Sequence, residues 1–394
     1  MRIAVIYDFG VNKGGGDYVM LNILEALSEH RCDVSLLTSN PTGIYMASEF
    51  FNKEVDNIEI HNIKVPRYLR HPYTITHIAK KAAQTNSYNL FILSDDVPKC
   101  LNGKRAICYV HYPHAARLKF KEYVANKYKR TLTGRLVWNV HKFTFPLFYV
   151  TQNFSTTWFM LANSTLTLEH LRKTFKNCKA VILHPPVASA KIRDIYVSSQ
   201  VQKENLIVSI GRFEPERRFE DVIEALRLLL KKGFELKLSI IGFSYDRKYQ
   251  EFLRTFIGKK NLENKVEFLE DIKRDVILDR LLRAKVLVHT AIREPFGIAV
   301  VEGMAAGCIP VVRKGFNGPW IDITQEGRYG IGFESVEDLA LAIETIINAY
   351  ENFIKSKNVI SRALQFDEKI FNTSFVNVVN DFLHRSTKLC ELFL

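Results

Sequence analysis

Between Ala284 and Val312 the chain reads as strand, loop, helix and strand in unbroken succession, which limits the folds open to it. The apolar run Ala284 to Ala291 suits a buried strand, Ile298 to Ala306 is a helix rich in small residues, and Ile309 to Val312 supplies the next strand. A crossover of this kind is right-handed, makes the two strands parallel and needs layers on both faces of the sheet. The expected class is therefore α/β. Pro295 and Gly297 punctuate the junction, so Glu294 falls in the loop and Glu302 about one turn inside the helix.

The same alternation runs through both halves. In the first, Arg2 to Tyr7, Asp33 to Thr38, Ile58 to Lys64, Leu90 to Ser94 and Ala106 to His111 read as strands, and a glycine-rich turn, Lys13 to Asp17, opens the first helix. Near Asn205 the pattern restarts: strands at Leu206 to Gly211, Leu236 to Gly242 and Val266 to Leu269 alternate with helices at Phe219 to Lys231, Arg247 to Ile257 and Arg274 to Ala284. Two doubly wound domains follow. We place them at residues 1–195 and 196–367, with the polar stretch Ala188 to Glu204 as linker, and with an amphipathic tail, about 368–394, able to cross back onto the first domain.

At 394 residues there is length enough for two cores. The six cysteines are scattered without a CxxC pair, the pattern expected of reduced thiols in a cytoplasmic setting. Arg2 begins a strand directly, so no signal peptide is expected, and no apolar run reaches the length of a membrane span. The formal charge of +13 is concentrated: ten Lys or Arg lie between Gly103 and Phe148 against the single acid Glu122. Such a patch attracts polyanions, either nucleic acid or an anionic membrane face. The aromatics that follow, from Trp138 to Phe159, stand apart from the basic run instead of interleaving with it as base-stacking platforms do, which argues against nucleic acid. They read either as a buried helical hairpin or as a surface that sinks aromatics among lipid headgroups.

Ligands of open α/β sheets bind beyond the carboxyl ends of the strands, where Glu294 and Glu302 fall. Their carboxylates can accept from sugar hydroxyls, and the free N–H groups of the helix start can take phosphate. Two glutamates beside a helix start can also serve only as capping charges. The neighbouring turn, Gly211-Arg212-Phe213-Glu214-Pro215-Glu216-Arg217-Arg218, favours the ligand reading, because paired guanidinium groups bind phosphate oxygens and neutralise a leaving diphosphate. His111 ends an apolar strand, halted by Pro113, where it can hydrogen-bond a sugar hydroxyl or carry a proton. His114 lies close behind. Gly14, Gly15 and Gly16 permit close backbone approach to phosphate or acceptor, but they lack GxGxxG spacing, and the second strand ends in Thr38-Ser39 without a ribose-binding acid, so a dinucleotide site is not expected. No Asp-x-Asp occurs, so leaving-group charge is expected to fall to arginines and helix dipoles rather than to a metal or cofactor.

Taken together, Glu294 to Glu302, Gly211-Arg212 with Arg217, and His111 resemble the retaining GT-B glycosyltransferases of the group 1 type, two Rossmann-like domains facing a central cleft. Tyr109 to Pro113, Ala162 to Thr167, His184 to Val187 and Asn317 to Ile323 further resemble the dolichol-pathway α-1,2-mannosyltransferases. The resemblance implies transfer of a hexose from a nucleotide-diphosphate sugar, GDP-mannose above all, to a lipid-linked glycan at the cytoplasmic face of a membrane, without metal or cofactor. A UDP-sugar transferase or a same-fold epimerase is the alternative, and a basic nucleic-acid-binding protein the reading from another class. It further implies that Glu294 holds the sugar hydroxyls, that Phe296, Gly297 and Ile298 offer backbone N–H groups, and that Glu302 binds the ribose. Arg212 and the residue five later would stabilise the departing diphosphate, with His111 near the reacting centre and Gly15, Gly16 and Gly211 beside the donor. The family pattern has lysine where this chain has Arg217, next to Arg218, and its second glycine loop is altered here to Lys314-Gly315-Phe316-Asn317-Gly318-Pro319.

Overall fold

The chain is described by a computed structural model covering residues 2–10, 14–30, 32–66, 73–120 and 132–384. Lys13 of the glycine-rich turn, the basic residues Lys121, Lys127, Lys129 and Arg130, and the tail beyond His384 lie outside the described residues. Two compact units emerge, residues 1–186 with 369–394, and residues 187–368.

The first unit is built on seven strands: β1 (Arg2–Ile6), β2 (Asp33–Thr38), β3 (Glu59–Asn62), β4 (Leu90–Ser94), β5 (Ala106–Val110), β6 (Trp158–Ala162) and β7 (Ala180–Ile182). They lie in the order β3-β2-β1-β4-β5-β6-β7, all parallel. Successive side chains on a strand point to opposite faces, and this alternation divides the core in two. Ala4, Ile6, Phe91, Leu93, Cys108, Val110 and Met160 line one face. Ile3, Val5, Leu90, Ile92, Ile107, Tyr109, Phe159 and Leu161 line the other. The second face is covered by the helix Gly15–Glu29 and by the C-terminal helix Glu368–His384, whose Phe371, Phe375, Val378 and Val379 are buried there.

The second unit has six parallel strands: β8 (Glu204–Arg212), β9 (Lys237–Phe243), β10 (Val266–Glu270), β11 (Ala284–His289), β12 (Ile309–Arg313) and β13 (Ile331–Phe333), in the order β10-β9-β8-β11-β12-β13. The chain winds outward from β8 to β10, then returns and winds the other way from β11. The switch point therefore lies between the carboxyl ends of β8 and β11, and the corresponding point of the first unit lies between β1 and β4.

Two expectations change. Ala188 to Glu204 is not a linker: Ser189–Ser199 is a helix of the second unit, so the division falls at Pro186 and not at 195. Its start is tied down by Asp367, which accepts from Ala190 N at 2.8 Å and from Ser189 Oγ at 3.2 Å. Beyond it the buried Lys203 ammonium donates to the carbonyls of Leu281, Ala284 and Ala306 at 3.1, 2.8 and 2.6 Å. Polar composition here reflects a helix with one packed face and a lysine that caps the carboxyl ends of two helices. The aromatic stretch also divides. Phe154, Trp158 and Phe159 are core residues of the sheet, whereas the helix Leu132–Phe148 is largely exposed.

Candidate functional site

Three loops meet at the β8/β11 switch point. The loop after β8 is bonded to the loop after β11 by Thr290 Oγ1 donating to Arg217 O at 2.6 Å and Ile292 N donating to Glu216 O at 3.2 Å. The loop after β12 joins through Gly318 N, which donates to Glu294 O at 2.9 Å. Gly318 can pass there only because it lacks a side chain, since a Cβ would stand 2.0 Å from Pro295 O. Gly297 adopts φ +98°, open to glycine at little cost, and turns the chain into the helix Ile298–Ala305.

This scaffold brings four of the expected residues together. The Arg217 guanidinium is ion-paired with Glu294, and its Nε donates to Glu214 at 3.3 Å. Arg212 reaches the same Glu214 at 3.0 Å, half exposed, with its guanidinium 5.0 Å over the Tyr245 ring. Gly211 lies beneath the Arg217 stem. His289, buried at the end of β11, stands 3.7 Å from Glu294. Burial alone would raise the Glu294 carboxyl. The Arg217 guanidinium, with His289 beside it, outweighs burial and holds the group well below the usual carboxylate range. Arg218 is drawn elsewhere: Asp221 takes it at 2.8 Å, and Asp221 is also paired with Arg313. Of the two adjacent arginines, Arg217 faces Glu294.

Glu302 is only 7% exposed and is ion-paired with Arg274, at the start of the helix Arg274–Arg283. The two glutamates expected to work as a pair thus have separate cationic partners. Arg274 and His289 were not singled out by the sequence reading. Arg274 lies 28 residues from Glu302, so no local spacing points to it. His289 was legible in principle as the polar end of an apolar strand. The Phe296 ring packs edge to face on Phe366 with centroids 5.3 Å apart, so only its backbone belongs with the site. Ile298 opens the helix, where the first N–H groups have no partner within the helix.

A second constellation occupies the switch point of the first unit. A cavity of about 280 Å³ is lined by Tyr7, Gly16, Asp96, His111 and His114, among others. His111 follows β5. Its backbone N donates to Asp95 at 2.8 Å, its carbonyl accepts from Thr167 at 3.1 Å, and its Nε2 is buried with no hydrogen-bond partner among the described residues. Gly16 lies against that Nε2 and the Tyr7 hydroxyl, which donates to Asp17 at 3.1 Å. Gly15 begins the helix beside it. Burial raises the Asp17 carboxyl, although Gly14 N and Gly10 N both donate to it. Asp95 and Asp96 escaped the sequence reading, which looked to Asp-x-Asp and passed over the adjacent pair just after β4.

Comparison with known proteins adds to this geometry. Residues 192–365 match the family model described as glycosyl transferases group 1. A relative from Dictyostelium discoideum named GDP-Man:Man(3)GlcNAc(2)-PP-Dol alpha-1,2-mannosyltransferase is 27% identical over 316 residues, 73% of this chain and 61% of that protein. One of the same name from Xenopus laevis is 29% identical over 272 residues, 64% of this chain and 55% of that protein. The chain thus spans somewhat over half the length of these relatives. A solved glycosyltransferase from Rickettsia africae superposes with a TM-score of 0.69 at 13% identity, covering 98% of this chain and 99% of the other. That likeness establishes the fold, which is GT-B.

Proposed function

We propose that the chain, whose residues 192–365 match the model of the glycosyl transferases group 1, is a retaining transferase moving mannose from GDP-mannose onto a lipid-linked oligosaccharide. The observation that carries this is the Arg217–Glu294 pair at the β8/β11 switch point, with Arg212 on the shared Glu214. An ionised, buried carboxylate is an acceptor for donor-sugar hydroxyls, and the two guanidinium groups beside it suit a diphosphate. Glu302, ion-paired with Arg274, suits the two ribose hydroxyls.

The proposed course is front-face. The departing diphosphate gathers charge, Arg212, Arg217 and the start of the helix Ile298–Ala305 stabilise it, and the acceptor hydroxyl attacks from the same side, its proton passing to a leaving phosphate oxygen. No step calls on a metal or cofactor, so transfer rates should survive chelation by EDTA.

The lipid-linked acceptor implies a membrane surface, and one helix supports that part of the reading. On Leu132–Phe148, Leu132, Leu136, Val140, Phe143 and Leu147 recur at helical spacing and are all more than half exposed. Trp138, His141 and Phe145 lie on the opposite side and pack together. The helix thus turns an apolar stripe outward. Its only charged residues, Arg135 and Lys142, are basic and exposed, which suits anionic lipid at the cytoplasmic face. Among the described residues no helix is long and apolar enough to cross a membrane, so the association proposed is peripheral.

The primary test is transfer to a synthetic polyprenyl-diphosphate oligomannose, alongside a thermal-shift panel of GDP, UDP and ADP sugars. Selective stabilisation by GDP-mannose and transfer with retention are expected. Stabilisation by a UDP sugar alone would replace the donor, and full transfer by Glu294→Ala would remove the site.

A further inference from the structure

We propose that His289 is a positioning residue for the donor sugar, acting through the Glu294 carboxylate. This deepens the glycosyl-transfer reading and rests on it. His289 closes β11. Side chains two apart on a strand share a face, so His289 points the same way as Leu287. Leu287 packs on the helix Ile298–Ala305 so closely that a Cβ on Gly303 would stand 2.6 Å from it. His289 therefore lies on the face of the sheet that carries this helix, and Glu294 sits in the loop leading into it. The backbone there is held firmly. His289 pairs in register with Val312 of β12, and Arg313 Nε donates to the carbonyl of the next residue, Thr290, at 3.0 Å.

Two observations point beyond packing. His289 is 5% exposed, and its Nε2 is buried with no hydrogen-bond partner among the described residues. Buried polar atoms are ordinarily paired, so an open one calls for a reason. That nitrogen also stands 3.7 Å from Glu294 Oε2, the same oxygen that Arg217 holds. The gap is roughly 0.8 Å more than an ordinary N–H···O bond of about 2.9 Å, and a small rotation of the glutamate side chain closes it. The contact needs a proton on Nε2, which either the Nε2–H tautomer or the imidazolium supplies.

Arg217 and His289 approach Oε2 from the ends of different strands. One donor leaves the carboxylate free to turn about that single contact, whereas two donors on one oxygen set its plane. Oε1, which has no protein partner among the described residues, is then the oxygen presented to a ligand. In the transfer reading it meets a hydroxyl of the donor sugar. The diphosphate is served by the guanidinium groups and does not call on His289. Binding of the sugar and binding of the nucleotide are therefore separable.

The experiment measures by calorimetry the binding of GDP-mannose and of GDP to the parent, His289→Leu and His289→Gln, together with steady-state transfer. Leucine keeps an apolar side chain but no donor, and glutamine returns an amide N–H near the position of Nε2. His289→Leu should weaken GDP-mannose at least tenfold and GDP less than twofold, with a lower kcat. Glutamine should recover most of both losses, which a merely space-filling role would not produce. In a Glu294→Gln background, His289→Leu should weaken GDP-mannose by less than a further twofold, because both changes remove the same oriented oxygen. Equal weakening of GDP and GDP-mannose, an unchanged GDP-mannose affinity, glutamine no better than leucine, or a full tenfold loss in the Glu294→Gln background would each overturn the role and leave the transfer reading standing. A parent that bound neither GDP nor GDP-mannose would overturn that reading, and the role of His289 with it.

Discussion

The Arg217 guanidinium spans two loops, ion-paired with Glu294 after β11 and donating to Glu214 after β8. One side chain therefore fixes the geometry of the proposed donor site and keeps its carboxylate ionised. Arg217→Ala should reduce kcat/KM by roughly 10²–10³, the loss typical of one preorganised donor at a developing charge. Arg217→Lys keeps the charge but not the fork, and should fall between. Steady-state kinetics on both variants gives the order. If lysine and alanine lose equally, the geometry rather than the charge is what matters.

The same pair sets a pH dependence. In the parent, Glu294 is held below the ordinary glutamate value of about 4.3. A depressed folded value means the pair contributes stability fully above that ordinary value and loses it as pH falls through the lower folded one. Remove Arg217 and burial dominates, so the carboxyl rises. The acid limb of the kcat/KM profile should then move upward in Arg217→Ala. Glu294→Gln should abolish that limb along with most activity. An acid limb that stayed in place in Arg217→Ala would assign it to another group.

Arg274 and Glu302 offer a separable test. With Arg274→Ala a carboxylate 7% exposed loses its cationic partner. Donor KM should rise about tenfold, equivalent to about 1.4 kcal/mol, with kcat little altered because the ribose is remote from the reacting bond. A fall in kcat at unchanged KM would place Glu302 in the chemistry instead.

Both doubly wound domains were legible because apolar runs of strand length alternate with helical patterns, and the period survives every boundary error. The clustering of Glu294, Arg212 and Arg217 was legible because the loops that carry them follow strands the sequence marks clearly. What was not legible came from distance along the chain. Arg274 meets Glu302, and Asp96 meets His114, only through the packing of separate crossovers. The stretch Ala188 to Glu204 misled because a helix with one buried face has a polar composition. The apolar stripe of Leu132–Phe148 was read only as a composition, since which face of a helix points outward is decided by what packs on the other.

That stripe yields a prediction free of folding effects. Phe143 is 78% exposed and Leu147 61%, so replacing both with aspartate should change stability by no more than about 0.5 kcal/mol per site. Flotation with liposomes containing anionic lipid should bring up the parent and leave the double variant below. Neutral liposomes should bind the parent less, since Arg135 and Lys142 flank the stripe. Equal flotation of both proteins would mean that another surface holds the membrane.

The C-terminal helix gives a test of how the first unit is held together. Phe375 has no solvent exposure and stacks on Phe371 with centroids 6.1 Å apart, in the core that includes Ile3, Val5 and Tyr109. A residue far from the amino terminus in sequence thus completes the face behind β1, and the core of the second unit does not include it. Phe375→Ala should cost about 3–5 kcal/mol, because transfer free energy and an unfilled cavity add. Calorimetry should show the loss in one transition while the melting of residues 187–368, followed by its shift with GDP-mannose, stays in place. A single transition moving as a whole would mean that the two units unfold together. No movement at all would mean that the helix adds little to this core, despite the burial of Phe371, Phe375, Val378 and Val379.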